Sequence, residues 1–597
     1  MISNYLKKIG EIVRLMWRGY GFYRVQIILL VISGLVGGFL EGVGVNAAIP
    51  LFSFLTGGLG RGDDQISKMI VGFFDFLGVP FSLRYLLAFI FVVFALRAIV
   101  LLFNNIVKIK ITTDYSEHVR NRLFTKVIRA DWPHLLKQKL GHLDTLLMTN
   151  VHYSESLLHS LSGTIMLLTG LAMYLVVAIN ISRPITIFTL ALGALLFIFF
   201  RPILNRTRRL SSAVETLNRD IAHFVNEHVV GMKTVKATLS DKPVIERGQG
   251  LFRRVKELRF KLFFLSILPE SLVQPIGLMF VLILFAFSYK MPNFNVAAFV
   301  AVVYLIDKMF IYLQQLQNQF QRITEYVPYL RTVMNYEDDA LLNTETDEGK
   351  SPFNFEKTLQ FKDVKFSYDG GKEVLRGLNF SVTRGESIGL VGPSGVGKTT
   401  VVDLVLRLFK PTEGEILVDS KNISEIKLSD WRNHIGYISQ DIFLLNDTIS
   451  NNIRFYDRGL SESAIAEAAK LAEISDFVKA QPKGMDTMVG ERGTMLSVGQ
   501  RQRIAIARVL ARDPKILILD EATSALDNET EKEIQKVIEK LKGRVTTIMI
   551  AHRLSTVMQA DKLLVLDDGK VKEEGSPEDL LKDDSSYFAK LYRVALS

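Results

Sequence analysis

Cysteine is missing from all 597 residues, which excludes disulfides, thiolate zinc sites and cysteine-protease chemistry. A small-residue cleavage site is missing as well. The N-terminus, MISNYLKKIGEIVRLMWRGYGFYR, is basic and amphipathic, and the apolar run behind it is too long for a signal peptide. Residues 1–24 read as a cytoplasmic helix along the membrane surface. Long apolar runs stop after Leu316, and beyond Tyr336 the chain is mixed and charged. The remaining asymmetry is of charge, 72 Lys and Arg against 62 Asp and Glu. These cations crowd the ends of the apolar runs, where cytoplasmic loops of membrane proteins collect them. The net charge of +10 therefore speaks for membrane topology and against a nucleic-acid partner.

What is present divides into two halves. Apolar residues make up 48% and charged residues 22%; a membrane half joined to a soluble half accounts for both figures. Expected are a membrane domain over 25–330, a linker over 331–358 and a soluble domain over 359–597. A span needs about 20 mostly apolar residues, and six segments qualify: 25–55, 83–107, 157–181, 184–204, 262–289 and 293–316. The 108–156 and 205–261 loops hold Lys108, Arg122, Lys126, Arg206, Arg209 and Lys236 among other cations, while the opposite loops at 181–184 and 289–293 are short. The positive-inside rule puts both termini and both long loops in the cytoplasm. Helical spacing through HVRNRLFTKVIRA and LNRDIAHFVNEHVV carries the spans beyond the bilayer, to turns near Trp132–Gly141 and Asn226–Val235.

Charges at membrane depth are costly and mark pairing or function. Glu41 in the first span and Arg97 in the second lie at similar depth; an ion pair and a substrate contact both fit. Asp307 and Lys308 are adjacent in the sixth span, so at least one points into the bundle. The polar run Gln314, Gln315, Gln317, Asn318, Gln319 and Gln321 reads as a solvated helix. Outside, QISKMIVGFFDFLGV reads either as a short surface helix or as a packed loop.

The soluble half carries the chemistry. In ESIGLVGPSGVGKTTVVDLVLRLF a strand leads through a Gly-rich turn into a helix. Gly392, Gly395 and Gly397 let backbone amides surround phosphate oxygens, and the helix N-terminus adds its dipole. Lys398 is placed for the β- and γ-phosphates and Thr399 for magnesium. The ATP-binding run is Gly392, Pro393, Ser394, Gly395, Val396, Gly397, Lys398, Thr399 and Thr400. KILILDE is an apolar strand ending in two acids, Asp520 for magnesium and Glu521 to polarise an attacking water.

With LSVGQ at 496–500 following that loop, residues 359–597 resemble the ATPase domain of ATP-binding cassette (ABC) transporters, and the whole chain resembles their exporters. The resemblance implies a multi-domain fold: an all-α six-helix transmembrane domain with long cytoplasmic extensions, plus an α/β P-loop NTPase domain. It implies that Ser497, Val498, Gly499 and Gln500 contact ATP held by an opposing subunit, Val498 standing where glycine is usual. Tyr368 would stack on adenine, Gln440 would link magnesium to the membrane half, Asp527 would contact the partner, and His552 would be the switch at the γ-phosphate. TMVGERG at 487–493 resembles the segment that senses the membrane loops. One phosphate loop and one signature per chain imply a homodimer with two ATP sites, using ATP and Mg2+. A fused peptide-trimming protease is excluded, since that needs a cysteine. The implied function is ATP-driven export or flipping of a lipid, lipid-linked glycan or other hydrophobic substrate across a bacterial inner membrane. The alternatives are a drug or peptide exporter and an ATP-gated channel.

Overall fold

A computed structural model describes residues 10, 14–47, 50–51, 54, 65–138, 141–181, 183–289, 296–521, 528–550 and 553–596. The chain divides into two compact units, one of Met1–Ala130 with His134–Thr344, the other of Asp131–Pro133 with Glu345–Ser597.

The first unit is helical. Its main elements are α1 (Arg24–Asn46), α2 (Gln65–Phe76), α3 (Leu83–Ile128), α4 (Val151–Ile181), α5 (Arg183–Val230), α6 (Asp241–Ser288) and α7 (Val296–Leu342). Among the described residues, five helical stretches are long and apolar enough to cross a membrane: Arg14–Gly44, Leu83–Ile128, His142–Val176, Thr186–Val230 and Asp241–Phe287. The sixth expected span falls on α7. A 46-residue helix such as α3 is about 69 Å long at 1.5 Å per residue. That is more than twice a hydrocarbon core, so each long helix runs well past the bilayer. The QISKMIVGFFDFLGV segment forms a helix, α2, with Ile70 and Phe74 buried beside Ala47 and Leu86.

Buried side chains far from the apolar windows hold α3, α4 and α7 together: Leu123, Leu146, Val151, Val327 and Leu330 form one cluster. Glu215 of α5, almost fully buried, accepts hydrogen bonds from Asn150 at 3.4 Å and Thr332 at 3.2 Å, with Arg219 beside it. One expectation is corrected. Gln317 and Gln321 are not solvated: both are buried, because a spacing of four residues puts them on one helical face, and that face turns inward.

The second unit has two sheets. Four antiparallel strands, β1 (Thr358–Ser367), β2 (Glu373–Thr383), β4 (Glu413–Val418) and β5 (Lys421–Asn422), run in the order β2-β1-β4-β5; six strands, closed at one edge by β10 (Lys570–Gly575), run in the order β10-β9-β3-β8-β7-β6. In the second, β3 (Ser387–Val391) is parallel to β8 (Thr546–Ile550) and β9 (Lys562–Asp567), and β7 (Ile516–Asp520) is parallel to β6 (Ile435–Ile438) and β8. β3, β7 and β8 are buried along their whole length, which is why none of them alternates polar and apolar residues as a strand with one wet face does. Parallel strands end together, so β3 and β7 deliver the phosphate loop and the two acids to the same edge of the sheet.

Candidate functional site

The phosphate loop leaves β3 at Val391 and enters α8 (Lys398–Val405). Gly397 caps α8 with φ +109°, a conformation an L side chain resists, and a Cβ there would also lie 2.7 Å from Leu375 Cδ2. Gly395, φ +80°, has open space where a Cβ would stand. Pro393, Ser394, Gly395 and Thr399 are exposed while Lys398 and Thr400 are buried, so the loop is a cradle open to solvent over a fixed floor. Lys398 Nζ donates to the carbonyls of Gly392 at 2.8 Å and Pro393 at 3.0 Å, closing the loop on itself. Burial pushes the Lys398 ammonium below its usual pKa, against the pull of Glu521 and Asp520.

The far end of α8 is held as firmly. Trp431 Nε1 donates to the Val405 carbonyl at 2.8 Å, and Arg432 donates to the carbonyls of Leu406 and Arg407 at 3.1 and 3.0 Å. These satisfy the terminal carbonyls that a helix leaves without intrahelical partners. The same guanidinium grips Glu345 with two bonds of 2.8 and 2.7 Å.

The acids at the end of β7 stand in different surroundings. Asp520 is buried; Tyr437 of β6 points its hydroxyl at Asp520 Oδ2 at a long 3.5 Å. Burial, then the Asp520 charge, push the Tyr437 phenol up. Asp403 of α8 faces the same carboxylate, and burial followed by Asp520 raises it to about 6. Glu521 has φ +50°, with its amide donating to Ile550 of β8 at 3.0 Å. Its Oε2 accepts from Gln440 Nε2 at 2.8 Å. That fixes the Gln440 amide with its oxygen turned away from Glu521.

Tyr368 is partly exposed, packs edge-on against Phe366 and Phe409, and shares a 3.0 Å hydrogen bond with Thr400 Oγ1. The signature opens α9 (Val498–Leu510) with a reciprocal cap: Gln500 N donates to Ser497 Oγ at 3.2 Å and Ser497 N to Gln500 Oε1 at 2.9 Å. Ser497 and Val498 are exposed and Gly499 is buried. In the 487–493 segment, Glu491 accepts from Asn446 at 3.0 Å. Asp527 and His552 lie outside the described residues.

In the helical unit Glu41 and Arg97 form an ion pair of 2.8 Å. Tyr174 and Tyr312 each donate to the same carboxylate at 2.9 Å, so Glu41 joins α1, α3, α4 and α7. Spacing could not have found the two tyrosines; Asp403, four residues after Thr399, could have been read from the helix period. Asp307 lines a small pocket with Gln274 and Phe310, and Lys308 Nζ stands 5.4 Å from the Tyr304 ring.

A phosphate loop on a parallel sheet, a pair of acids beside it, and a bundle of membrane-length helices define an ATP-hydrolysing membrane transport protein. Residues 375–524 match the ABC transporter family model and residues 27–311 the ABC transporter transmembrane region. The ATP-dependent lipid A-core flippase of Saccharophagus degradans is 32% identical over 576 residues, 93% of this chain and 94% of that protein. The heterocyst differentiation ATP-binding protein HepA of a Nostoc species is 32% identical over 479 residues, 78% of this chain and 77% of that one. A bacterial Atm1-family ABC exporter solved with ATP bound superimposes with a TM-score of 0.76 at 26% identity, over 98% of this chain and 100% of that one. The chain belongs to the ABC transporter family, as a half-transporter of the exporter type. It is a multi-pass membrane protein that binds ATP and couples its hydrolysis to transport.

Proposed function

We propose that two copies of this chain form a homodimer that exports or flips a lipid or lipid-linked substrate from the inner leaflet outward. Each ATP lies between the phosphate loop of one copy and the signature of the other. The observation that carries the split site is the state of the signature: Ser497 and Val498 are exposed at the head of a 13-residue helix. Its dipole end is available to a γ-phosphate brought by a partner. The lipid substrate is supported by the relatives that are lipid A-core flippases. The membrane is a bacterial inner membrane with both termini cytoplasmic.

Backbone amides of residues 395–399 bind the β- and γ-phosphates, Lys398 turns from its two carbonyls to them, and Tyr368 supports the base. Glu521 orients the attacking water and accepts its proton, with His552 at the γ-phosphate and Asp527 against the partner. No three His, Asp or Glu side chains gather among the described residues, so a cation needs hydroxyl, amide and phosphate oxygens as well. Thr399, the free face of the Gln440 amide and Asp520 offer such a hard-oxygen set, and Mg2+ held there would neutralise charge on the phosphates. ATP shifts the cycle because it binds the closed dimer better than the open one.

The test uses mixed dimers. One chain with Lys398→Ala paired with one carrying Ser497→Arg keeps one complete site, whereas a chain with both substitutions paired with wild type keeps none. Turnover in the first pairing and its loss in the second is the expected result; equal rates would overturn the split site.

A further inference from the structure

α8 has eight residues and is about 12 Å long. A helix that short does not fix its own angle, since most of its backbone groups lie in end turns that need outside partners. β3 anchors the front of the phosphate loop and α8 carries the back, while the two acids stand on β7. The tilt of α8 therefore sets where a γ-phosphate lies against Glu521, and the groups at its far end decide that tilt.

Those groups sit on the short helix Leu428–Asn433. Arg432 uses four of its five N–H donors, two on the carbonyls of Leu406 and Arg407 and two on Glu345. One planar group thus serves α8 and Glu345 at once. The chain after Glu345 is laid against the same short helix. Asp347 Oδ1 accepts from the Leu428 amide at 2.7 Å, and Lys427 N donates to the Ser351 carbonyl at 2.9 Å. Phe353 stacks on His434 at 4.4 Å. A Cβ on Gly349 would lie 2.0 Å from the Ile426 carbonyl oxygen, so backbone meets backbone there. Burial lowers the pKa of Arg407, which stands just past α8 with φ +54°, and the charges of Asp347 and Glu345 oppose that effect.

Upstream, Thr344 lies two residues past the end of α7 and is bridged to Ala130; Glu345 is the next residue. Glu345 and Arg432 are each about one third exposed, so their pairing adds little to stability. What a two-pronged carboxylate adds is direction, because it fixes the plane of the guanidinium.

We propose that Glu345 and Arg432 are positioning residues for ATP hydrolysis: the guanidinium, gripped by Glu345 on one side and capping α8 on the other, sets the angle of the phosphate loop against Glu521. Through Glu345 the end of α7 is linked to the nucleotide site by one ion pair. This rests on the proposed role of Glu521 as general base and holds for any transported molecule.

The full-length protein in nanodiscs is assayed for ATP turnover by phosphate release, and the thermal midpoint of each variant is recorded. Expected for Glu345→Gln is a kcat lowered about tenfold, with KM for ATP within about twofold and an unchanged midpoint. Arg432→Lys, which keeps the charge and loses the fork, loses at least as much, and adding Glu345→Gln to it costs nothing further. Two glycines inserted between Thr344 and Glu345 keep the pair and slacken its link to α7, and kcat falls as in Glu345→Gln. Wild-type kcat in Glu345→Gln, losses that multiply in the double variant, or a midpoint that falls in step with kcat each overturn the positioning role. Unchanged kcat in the insertion overturns the link to α7. Failure of the Glu521 assignment shows separately, as turnover that survives Glu521→Gln.

Discussion

The side chains of Gln440 and Glu521, 81 residues apart, meet in a 2.8 Å hydrogen bond. The amide holds the carboxylate that ends β7, at a residue whose φ of +50° is itself unusual for a glutamate. If Glu521 is the general base, Glu521→Gln lowers ATP turnover by about 100-fold or more while leaving ATP binding intact and accumulating closed dimer. Gln440→Ala frees the carboxylate without removing it, and a smaller loss, on the order of tenfold, is expected. Phosphate release, nucleotide binding and size-exclusion chromatography measure the three quantities. Wild-type turnover in Glu521→Gln would remove this residue from the mechanism.

Lys398 is buried and bonded to two loop carbonyls, so its removal costs the loop as well as the phosphate. Lys398→Ala weakens ATP binding at least about tenfold, or ~1.4 kcal/mol. Lys398→Arg does not restore it, because a planar fork does not fit a space shaped for a point charge. Fluorescent-nucleotide titration distinguishes these outcomes.

Asp403 gives a pH signature. Its pKa is raised to about 6 in the fold, by burial first and the Asp520 charge second. An acid whose folded pKa lies above its unfolded value binds more protons when folded, so stability falls as pH rises through that window, from about 4 to about 6. Above it the full cost is present. Asp403→Asn therefore stabilises the nucleotide-free protein at pH 8, by on the order of 1 kcal/mol after discounting for solvent, and the gain shrinks toward pH 4. Thermal melts of both proteins across that range test it; a gain that grows on acidification would contradict the sign.

Gly170 makes room for Tyr312. A Cβ there would lie 2.5 Å from Tyr312 Cε1 and 2.8 Å from its hydroxyl oxygen. Gly170→Ala displaces the ring from Glu41 and costs about 1–3 kcal/mol, whereas Tyr312→Phe removes only one hydrogen bond, about 1 kcal/mol. Arg97→Met, which strands the carboxylate, costs more than either, about 3 kcal/mol. Denaturation midpoints in detergent should fall least for Tyr312→Phe and most for Arg97→Met, and the reverse ranking of those two would mean that Glu41 does not hold the four helices together.

Much of the nucleotide unit was legible because its chemistry is local. The phosphate loop, the β7 acids and the LSVGQ cap each sit within ten consecutive residues, and each needs particular residue types at fixed spacing to make a turn, a strand end or a helix cap. The membrane helices were legible for a similar reason, since burial in hydrocarbon demands about 20 apolar residues whatever the neighbours are. The glutamine run shows where this fails. Its composition says solvent, yet Gln317 and Gln321 are buried, because which face of a polar helix turns inward depends on what packs against it.

By itself, then, the chain's order of residues determined that there would be a phosphate cradle, a buried parallel strand with terminal acids, and a bundle of long helices: all of these follow from backbone geometry and the cost of exposing apolar surface. Only the tertiary structure decided which distant groups meet. It paired Glu41 with Arg97 and gave that carboxylate two tyrosine donors, tied Gln440 to Glu521, and placed Asp403 within reach of the Asp520 charge. Hydrogen bonds and charges act over a few ångströms, and sequence spacing carries no such distance once the helices and strands have been packed side by side.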